Sequence, residues 1–232
     1  MGGMDADWKT LSSMMDSTLL RPNASIMEVE ELCREAITYS FATVCVNPIF
    51  IKPASELLQG SKPKVGAVIG FPLGATFPSV KVVELEAVAV AGAKEVDTVM
   101  SLGSLLSGKP DAVREEIGSI VDVSRSYGIE VVKVILEMCY LTHEQKIQAC
   151  ELAIEGGADY VKTSTGFGPA GATVDDVKLL RSVCAGRAKV KAAGGIRNLT
   201  QTVELIEAGA QRIGTSQAGK IVREAMSGNS GK

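Results

Sequence analysis

Short apolar runs rich in β-branched residues alternate along the chain with longer runs in which apolar and polar residues follow a helical spacing. The short runs predict buried strands and the longer runs predict amphipathic helices. A strand followed by a helix, repeated many times, is typical of a parallel sheet. Eight strands are predicted, at residues 14–18, 41–46, 65–70, 95–102, 131–137, 160–164, 189–193 and 212–215.

Local signals mark the ends of the predicted helices. Ser25 precedes Glu28 by three residues, which is the spacing of a capping box at a helix start. Thr142 and Gln145 have the same spacing, and Pro110 stands where a first-turn proline belongs. Glycine just after a helix favours a left-handed cap before the next strand begins. Such glycines occur within the segments 91–93, 156–158 and 208–210.

The number of repeats in 232 residues predicts an α/β fold, a closed (β/α)8 TIM barrel with a short N-terminal helix. An open doubly wound sheet is the alternative. It is disfavoured because no G-x-G-x-x-G follows the first strand, and because polar residues end many strands and not only those at one switch point. No linker divides the chain, so we predict a single domain over residues 1–232, with frayed termini at about 1–4 and 227–232.

Composition limits the classes of partner. The net charge is −3 and no basic run occurs, which argues against nucleic acid and anionic membrane surfaces. No apolar stretch is long enough for a transmembrane helix, and no signal peptide is evident. The five cysteines are scattered without C-x-x-C spacing, which indicates reduced thiols and a cytoplasmic protein.

Three lysines lie inside predicted strands, although lysine is rarely buried. They are Lys133, Lys162 and Lys191, and Asp97 occupies a fourth strand. Side chains alternate along a strand, and all strands of a barrel share one mouth, so the four groups could converge there. The alternative is that each lysine faces the helices or extends to solvent. Four such residues in one sheet favour convergence.

Adjacent lysines suit one particular chemistry. A neighbouring ammonium and partial desolvation lower the pKa of a lysine from its free value of about 10.4. The neutral amine can then attack a carbonyl and form a Schiff base. A carboxylate such as Asp97 can move the protons that this reaction requires. Spacing alone does not decide whether Lys162 or Lys191 is the nucleophile.

Two glycine-rich stretches follow the last strands. AAGGIR at 192–197 runs on from the seventh strand, and RIGTSQAGK at 212–220 contains the eighth. The corresponding loops of a barrel often bind phosphate through backbone N–H groups, and Ser216 could add a hydroxyl donor. The alternative is a pair of ordinary glycine turns.

Several motifs together resemble the deoxyribose-phosphate aldolase family, from about residue 16 to about residue 221. The motifs are DSTLL at 16–20, EVDTVMSLG at 95–103, VVKVILE at 131–137, YVKTSTGFGPAGAT at 160–173 and VKAAGGIR at 190–197. The resemblance implies a class I aldolase that reversibly cleaves 2-deoxy-D-ribose 5-phosphate to D-glyceraldehyde 3-phosphate and acetaldehyde. It implies no metal and no other cofactor.

The resemblance also implies residue roles. Lys162 would form the Schiff base, Lys191 would lower its pKa, and Asp97 would shuttle protons. Phosphate binding falls to Gly194, Gly195, Gly214 and Ser216. Further substrate contacts are expected at Asp16, Cys45, Lys133 and Gly166, although a structural ion pair for Asp16 and a core thiol for Cys45 are equally compatible with the pattern.

The chain departs from the family pattern at two positions. Ser17 and Ser101 stand where the family commonly has histidine and asparagine, and both are expected near the mouth. Other functions remain as alternatives: an aldolase with a different aldehyde acceptor, a sugar-phosphate isomerase or epimerase, and a non-catalytic sugar-phosphate binder. The expected partners are a sugar phosphate, acetaldehyde and further copies of the chain, as a dimer or tetramer.

Overall fold

A computed structural model describes residues 7–228, which form one barrel surrounded by helices. The strands are β1 (Met15–Leu19), β2 (Thr43–Val46), β3 (Lys64–Ile69), β4 (Glu95–Val99), β5 (Val131–Ile135), β6 (Tyr160–Lys162), β7 (Lys189–Ala193) and β8 (Arg212–Thr215). The helices are α1 (Trp8–Ser13), α2 (Ile26–Tyr39), α3 (Ile51–Leu57), α4 (Pro78–Val90), α5 (Leu102–Leu106), α6 (Pro110–Ser126), α7 (His143–Glu155), α8 (Val174–Cys184), α9 (Leu199–Ala208) and α10 (Ala218–Gly228).

The eight strands are parallel and close on themselves, since β8 pairs with β1. The closed order confirms the predicted TIM barrel, including the short N-terminal helix α1, and excludes the open sheet. The predicted strands differ from the observed ones chiefly at their C-terminal ends. Residues 100–102 and 136–137, predicted as strand, leave the sheet to form the mouth.

The predicted helix starts are confirmed. Ser25 and Glu28 form a complete capping box at α2, and Thr142 and Gln145 form another at α7. Pro110 is the first residue of α6, where its missing N–H has no partner to lose.

The predicted glycine caps also adopt left-handed backbone. Gly157 follows α7 with φ +86°, and Gly209 follows α9 with φ +120°. At Gly209 a side chain would also collide with Arg181, because an added Cβ would lie 2.2 Å from its Cδ. These two positions therefore depend on glycine.

The two faces of the barrel strands carry different kinds of side chains. Outward-facing strand residues such as Val44, Val134 and Val161 pack against the helices in a large apolar core. The inward-facing side of several strands instead carries charged side chains. Since the strands are buried on both faces, alternation places apolar residues outside the barrel and the charges inside it.

The predicted frayed termini fall mostly outside the described residues, which leave out 1–6 and 229–232. Residues 227 and 228, predicted as frayed, complete α10. Within residues 7–228, no helix has both the length and the apolar character needed to cross a membrane.

Candidate active site

Neighbouring strands bring the lysines and Asp97 together. Lys162 ends β6 directly opposite Lys191 on β7, and Asp97 on β4 lies opposite Lys133 on β5. All four side chains are buried. The parallel register therefore converts residues far apart in sequence into a single cluster inside the barrel.

Asp97 is the hub of this cluster. Its Oδ2 accepts hydrogen bonds from Lys162 at 2.8 Å and Lys191 at 2.7 Å, and its Oδ1 accepts one from Lys133 at 2.9 Å. Burial alone would raise the pKa of Asp97, but the three ammonium groups outweigh burial and hold the pKa well below its ordinary value. Asp97 is therefore a permanent carboxylate at neutral pH.

The pKa values of the two lysines on Asp97 Oδ2 shift in opposite directions. Burial lowers the pKa of Lys162, and the positive charge of Lys191 adds to that effect, so the attraction of Asp97 does not restore the ordinary value. Burial also acts against the charge on Lys191, but Asp16, at 2.5 Å, and Asp97 outweigh it and raise the pKa of Lys191. Lys162 is thus the amine that loses its proton more readily.

A second tier of charges lies beneath Asp97. Glu95 accepts hydrogen bonds from Lys133 at 2.6 Å, Arg212 at 2.6 Å and Thr43 at 3.0 Å. Asp16 lies 3.1 Å from Arg212. Burial opposes ionisation of Asp16, but its cationic neighbours Lys191, Lys133 and Arg212 lower its pKa to about 2.

Charge counting supports a neutral Lys162. The barrel interior holds three carboxylates, on Asp16, Glu95 and Asp97. It holds four basic groups, on Lys133, Lys162, Lys191 and Arg212. An unbalanced buried charge is costly, and the count balances when one base is neutral. Lys162 is the basic group of the four whose pKa is lowered.

The mouth opens into a cleft of about 540 Å³ with Lys162 on its surface. The predicted binding residues Gly166, Gly194, Gly195, Gly214 and Ser216 all line it. The cleft therefore joins the amine of Lys162 to both glycine-rich stretches.

Three residues expected to contact substrate lie deeper. Lys133 is fully buried between Asp97 and Glu95 and does not line the cleft, and its expected substrate contact stays a prediction. Asp16 is likewise buried and acts as the counter-charge of Lys191. Cys45 packs with the apolar side chains of Leu20 and Val68.

The Cys45 thiol stays protonated. Burial and then the negative charge of Asp97 raise the pKa of Cys45 to about 11. The burial of Cys45 is compatible with a core thiol, and the substrate contact expected from the resemblance stays a prediction.

Two cleft glycines have little room for a side chain, because neighbouring atoms lie close to their Cα atoms. An added Cβ at Gly214 would lie 3.0 Å from Lys191 Cε, so Gly214 makes room for that side chain. Gly194 has φ +89°, and an added Cβ would lie 3.0 Å from the Cα of Gly171 and 3.3 Å from the Cα of Gly166. The loop after β6 therefore rests directly on the loop after β7.

Several cleft residues carried no sequence signal of their own. Arg21 and Arg197 bring positive charge to the cleft, and Thr18 and Thr165 bring hydroxyl groups. Arg197 belongs to the AAGGIR stretch, where the glycines drew attention and the arginine did not. Arg21 follows β1 and pairs with the carboxylate of Glu28 on α2.

The two departures from the family pattern lie away from the cleft. Ser17 is buried next to the inward-facing Asp16, so alternation turns Ser17 toward the helices. Ser101 follows β4 and donates a hydrogen bond to Ser104 at 3.0 Å. Neither lines the cleft. Ser101 lies at the mouth as expected, because it follows the C-terminal end of β4, whereas Ser17 lies within β1.

An amine whose pKa is lowered by burial and by a neighbouring ammonium can serve as the nucleophile of an aldolase that forms a Schiff base. Together with the closed barrel and the glycine-lined cleft, it defines this chain as a lysine-dependent barrel aldolase. The chain belongs to the DeoC/LacD family of aldolases, whose sequence model matches residues 6–227.

Individual relatives agree with this assignment. The chain is 52% identical over 214 residues to the deoxyribose-phosphate aldolase of Caldanaerobacter subterraneus subsp. tengcongensis, covering 92% of this chain and 93% of the relative. It is 51% identical over 227 residues to that of Thermococcus gammatolerans, covering 97% and 98%. The tetrameric deoxyribose phosphate aldolase from Aeropyrum pernix superimposes with a TM-score of 0.89 at 39% identity, covering 95% and 93%.

Proposed function

We infer that this protein is a deoxyribose-phosphate aldolase that cleaves 2-deoxy-D-ribose 5-phosphate reversibly to D-glyceraldehyde 3-phosphate and acetaldehyde. The observation that carries the proposal is the inequality of two lysines on one carboxylate oxygen. Lys162 has a lowered pKa and reaches the cleft, whereas Lys191 has a raised pKa and lies behind it. The activity of relatives about half identical in sequence supports the same conclusion.

The reaction begins at the amine. The neutral Nζ of Lys162 attacks the C1 aldehyde of the open-chain sugar, and loss of water gives an iminium ion. The C2–C3 bond then breaks, its electron pair flows to the iminium nitrogen, and the C3 hydroxyl loses its proton as D-glyceraldehyde 3-phosphate leaves. The remaining enamine takes up a proton at C2, and hydrolysis releases acetaldehyde and regenerates the amine.

Asp97 and Lys191 serve the proton transfers. Asp97 Oδ2 contacts the nitrogens of both Lys162 and Lys191, so a proton can pass between the two along one oxygen. Because the neighbouring ammonium groups of Lys133 and Lys191 favour its ionised form, Asp97 acts as the bridge and Lys191 stores the proton. The positive charge of Lys191 also keeps Lys162 available as a neutral amine.

The other end of the cleft suits a phosphate dianion. Gly194, Gly195 and Ser216 line it beside Arg21 and Arg197. Exposed backbone N–H groups and guanidinium groups both bind phosphate oxygens. Helix α10 begins just after this loop, and a helix N-terminus favours a bound anion.

Reductive trapping tests the proposal directly. Incubation with acetaldehyde and borohydride should attach an ethyl group to Lys162, and peptide mapping by mass spectrometry locates it. Borohydride without aldehyde is the control. A label on Lys191 would reverse the two roles, and an unlabelled protein would remove the Schiff-base mechanism, leaving an isomerase or a binding protein.

We also propose that the protein is a homo-oligomer located in the cytoplasm. Helix α4 exposes Val83 and Val90 at 64% and 79% of their surface, and Phe77 before it is exposed at 76%. Contiguous exposed apolar side chains often mark a protein interface. Light scattering on the purified protein measures the mass, and a monomer at micromolar concentration would refute the proposal of a homo-oligomer.

The cysteines support the proposed location in the cytoplasm. The five cysteines are free thiols, as expected for a reducing compartment.

A further inference from the structure

Glu137 has an unusual backbone at the C-terminal end of β5. Its φ is +47°, and among the described residues only Ser40 and Ala185 share a positive φ without being glycine. Those two are the C-terminal caps of α2 and α8, where a left-handed residue is common. Glu137 has no such reason, and a left-handed residue that ends no helix is worth a functional explanation.

The Glu137 carboxylate is buried without a counter-ion. Its side chain is 3% exposed, and no cation lies within ion-pair distance among residues 7–228. The carboxylate instead accepts hydrogen bonds from Thr165, through its backbone N at 3.2 and 3.3 Å and through its hydroxyl. The Cys139 thiol is a weaker donor at 3.8 Å. The contacts of this charge are therefore concentrated on one residue of the loop after β6.

Thr165 is also hydrogen-bonded within its own loop. Its hydroxyl oxygen accepts a hydrogen bond from the backbone N of Phe167 at 3.0 Å. Residues 165–167 line the cleft together with Lys162, and we call them the cleft wall. Gly166 in the wall lies against Gly194, and the Phe167 ring packs edge-on against Phe71 at 5.3 Å.

The carboxylate stands behind the wall. Glu137 lines a separate small pocket with Thr165 and Phe167 and is not part of the main cleft. The backbone around it is held as well, since Leu136 N and Met138 N donate to the carbonyl oxygens of Lys162 and Thr163. The left-handed turn between these two bonds directs the Glu137 side chain at Thr165.

We propose that Glu137 is a positioning residue that holds the cleft wall in place beside Lys162, an inference that rests on the proposed aldolase function. It does not touch the substrate. A carboxylate fits this place better than an amide, because both of its oxygens accept and every partner is a donor. A glutamine would turn an NH₂ group toward one of these donors.

The test compares a small and a large substrate in Glu137→Gln. Acetaldehyde reacts at Lys162 and is too small to extend along the wall, whereas 2-deoxy-D-ribose 5-phosphate spans the cleft along the wall. The variant should raise KM for the sugar phosphate by about 10- to 100-fold, the range expected for losing hydrogen bonds to a charged group. The rate of borohydride trapping with acetaldehyde should stay within about twofold of the wild type.

Further variants separate positioning from folding. Glu115→Gln makes the same chemical change on the exposed face of α6 and should leave both measurements unchanged. Glu137→Asp keeps the carboxylate but shortens the side chain by one methylene, so it should raise KM as well. This variant replaces Glu137→Gln in the test if Glu137→Gln does not fold. Addition of Thr165→Val to Glu137→Gln should give less than the product of the two single effects.

Two results would overturn the inference. An unchanged KM in a folded Glu137→Gln protein would mean that the wall stands without the carboxylate. An equal loss of trapping and of sugar-phosphate cleavage would assign Glu137 to general stability. If the wild type itself is not labelled at Lys162, the proposed function fails first and independently of Glu137.

Discussion

Two regions of this molecule bury a lysine, and we propose a reactive amine in only one of them. Lys81 on α4 is fully buried between the helices, and Lys162 at the end of β6 is 2% exposed inside the barrel. Residue type and burial are therefore almost the same in the two regions. The arrangement of acceptors around the lysine nitrogen differs between the two regions.

The helix layer gives its lysine a carboxylate and a carbonyl oxygen as acceptors. Lys81 Nζ donates to Glu116 at 2.6 Å and to the carbonyl oxygen of Val99 at 2.7 Å. No other cation pairs with Glu116 among the described residues. Lys162, by contrast, shares Asp97 Oδ2 with the charged Lys191. Lys162 thus differs from Lys81 in sharing its counter-charge with another lysine, and we expect this sharing, added to burial, to make a buried lysine nucleophilic.

The largest expected effect comes from Lys162→Met. Without the amine no Schiff base forms, so aldolase activity should fall by at least about 10⁴-fold and acetaldehyde labelling should disappear. Steady-state kinetics and mass spectrometry measure the two losses. Residual activity within about tenfold of the wild type would place the nucleophile elsewhere.

Stability should respond to Lys162→Met in the opposite direction. A lysine whose folded pKa is lowered binds its proton less tightly in the folded state, so below its unfolded pKa it disfavours folding. Replacing it by methionine should therefore leave the free energy of unfolding at pH 7 unchanged or raise it. Denaturant unfolding is the measurement, and a large loss of stability would contradict the lowered pKa.

Asp97→Asn should have the next largest effect. Removal of the proton bridge between Lys162 and Lys191 should lower kcat by about 10²–10⁴-fold. KM for the sugar phosphate should change little, because Asp97 does not line the cleft. Asp122→Asn on the exposed face of α6 is the matched control. A normal kcat with a raised KM would instead make Asp97 a binding residue.

Lys191→Met should move the pH dependence of the reaction. The ammonium of Lys191 lowers the pKa of Lys162, so its removal lets that pKa rise toward the free value of about 10.4. Activity near pH 7 should be lost, and acetaldehyde trapping should recover as the pH rises. Lys189→Met, two residues earlier in β7 and exposed, should keep the wild-type profile. A labelled Lys191→Met protein with an unshifted profile would refute the coupling.

The sequence predicted the reactive region better than the helix layer. Lys162, Lys191 and Asp97 lie in short strands, where the period of two and the common mouth limit where their side chains can meet. Lys81 lies on a helix, where a lysine ordinarily faces solvent, and its partner Glu116 is 35 residues away. No local pattern links the two, so only the packing of α4 on α6 reveals the pair.

The depth of a side chain inside the barrel could not be predicted from the sequence either. Alternation correctly turns Lys133 inward but does not distinguish the layer of Glu95 from the layer of Asp97. Depth follows from the stagger between strands, which appears only in the closed sheet. The arginines of the cleft, Arg21 and Arg197, lie in loops after β1 and β7, where no strand or helix period predicts the direction of a side chain.

Lys81→Met should have the smallest effect on catalysis and completes the comparison. Acetaldehyde labelling and kcat should remain within about twofold of the wild type, because Lys81 has no contact with the cleft. The free energy of unfolding should nevertheless fall by about 3–5 kcal/mol, since the variant leaves Glu116 buried without its partner. Adding Glu116→Leu removes the unpaired buried carboxylate and should restore much of the lost free energy of unfolding. If Lys81→Met instead abolished labelling while remaining folded, the two regions would be coupled through the carbonyl oxygen of Val99, and the distinction between a structural and a reactive buried lysine would fail.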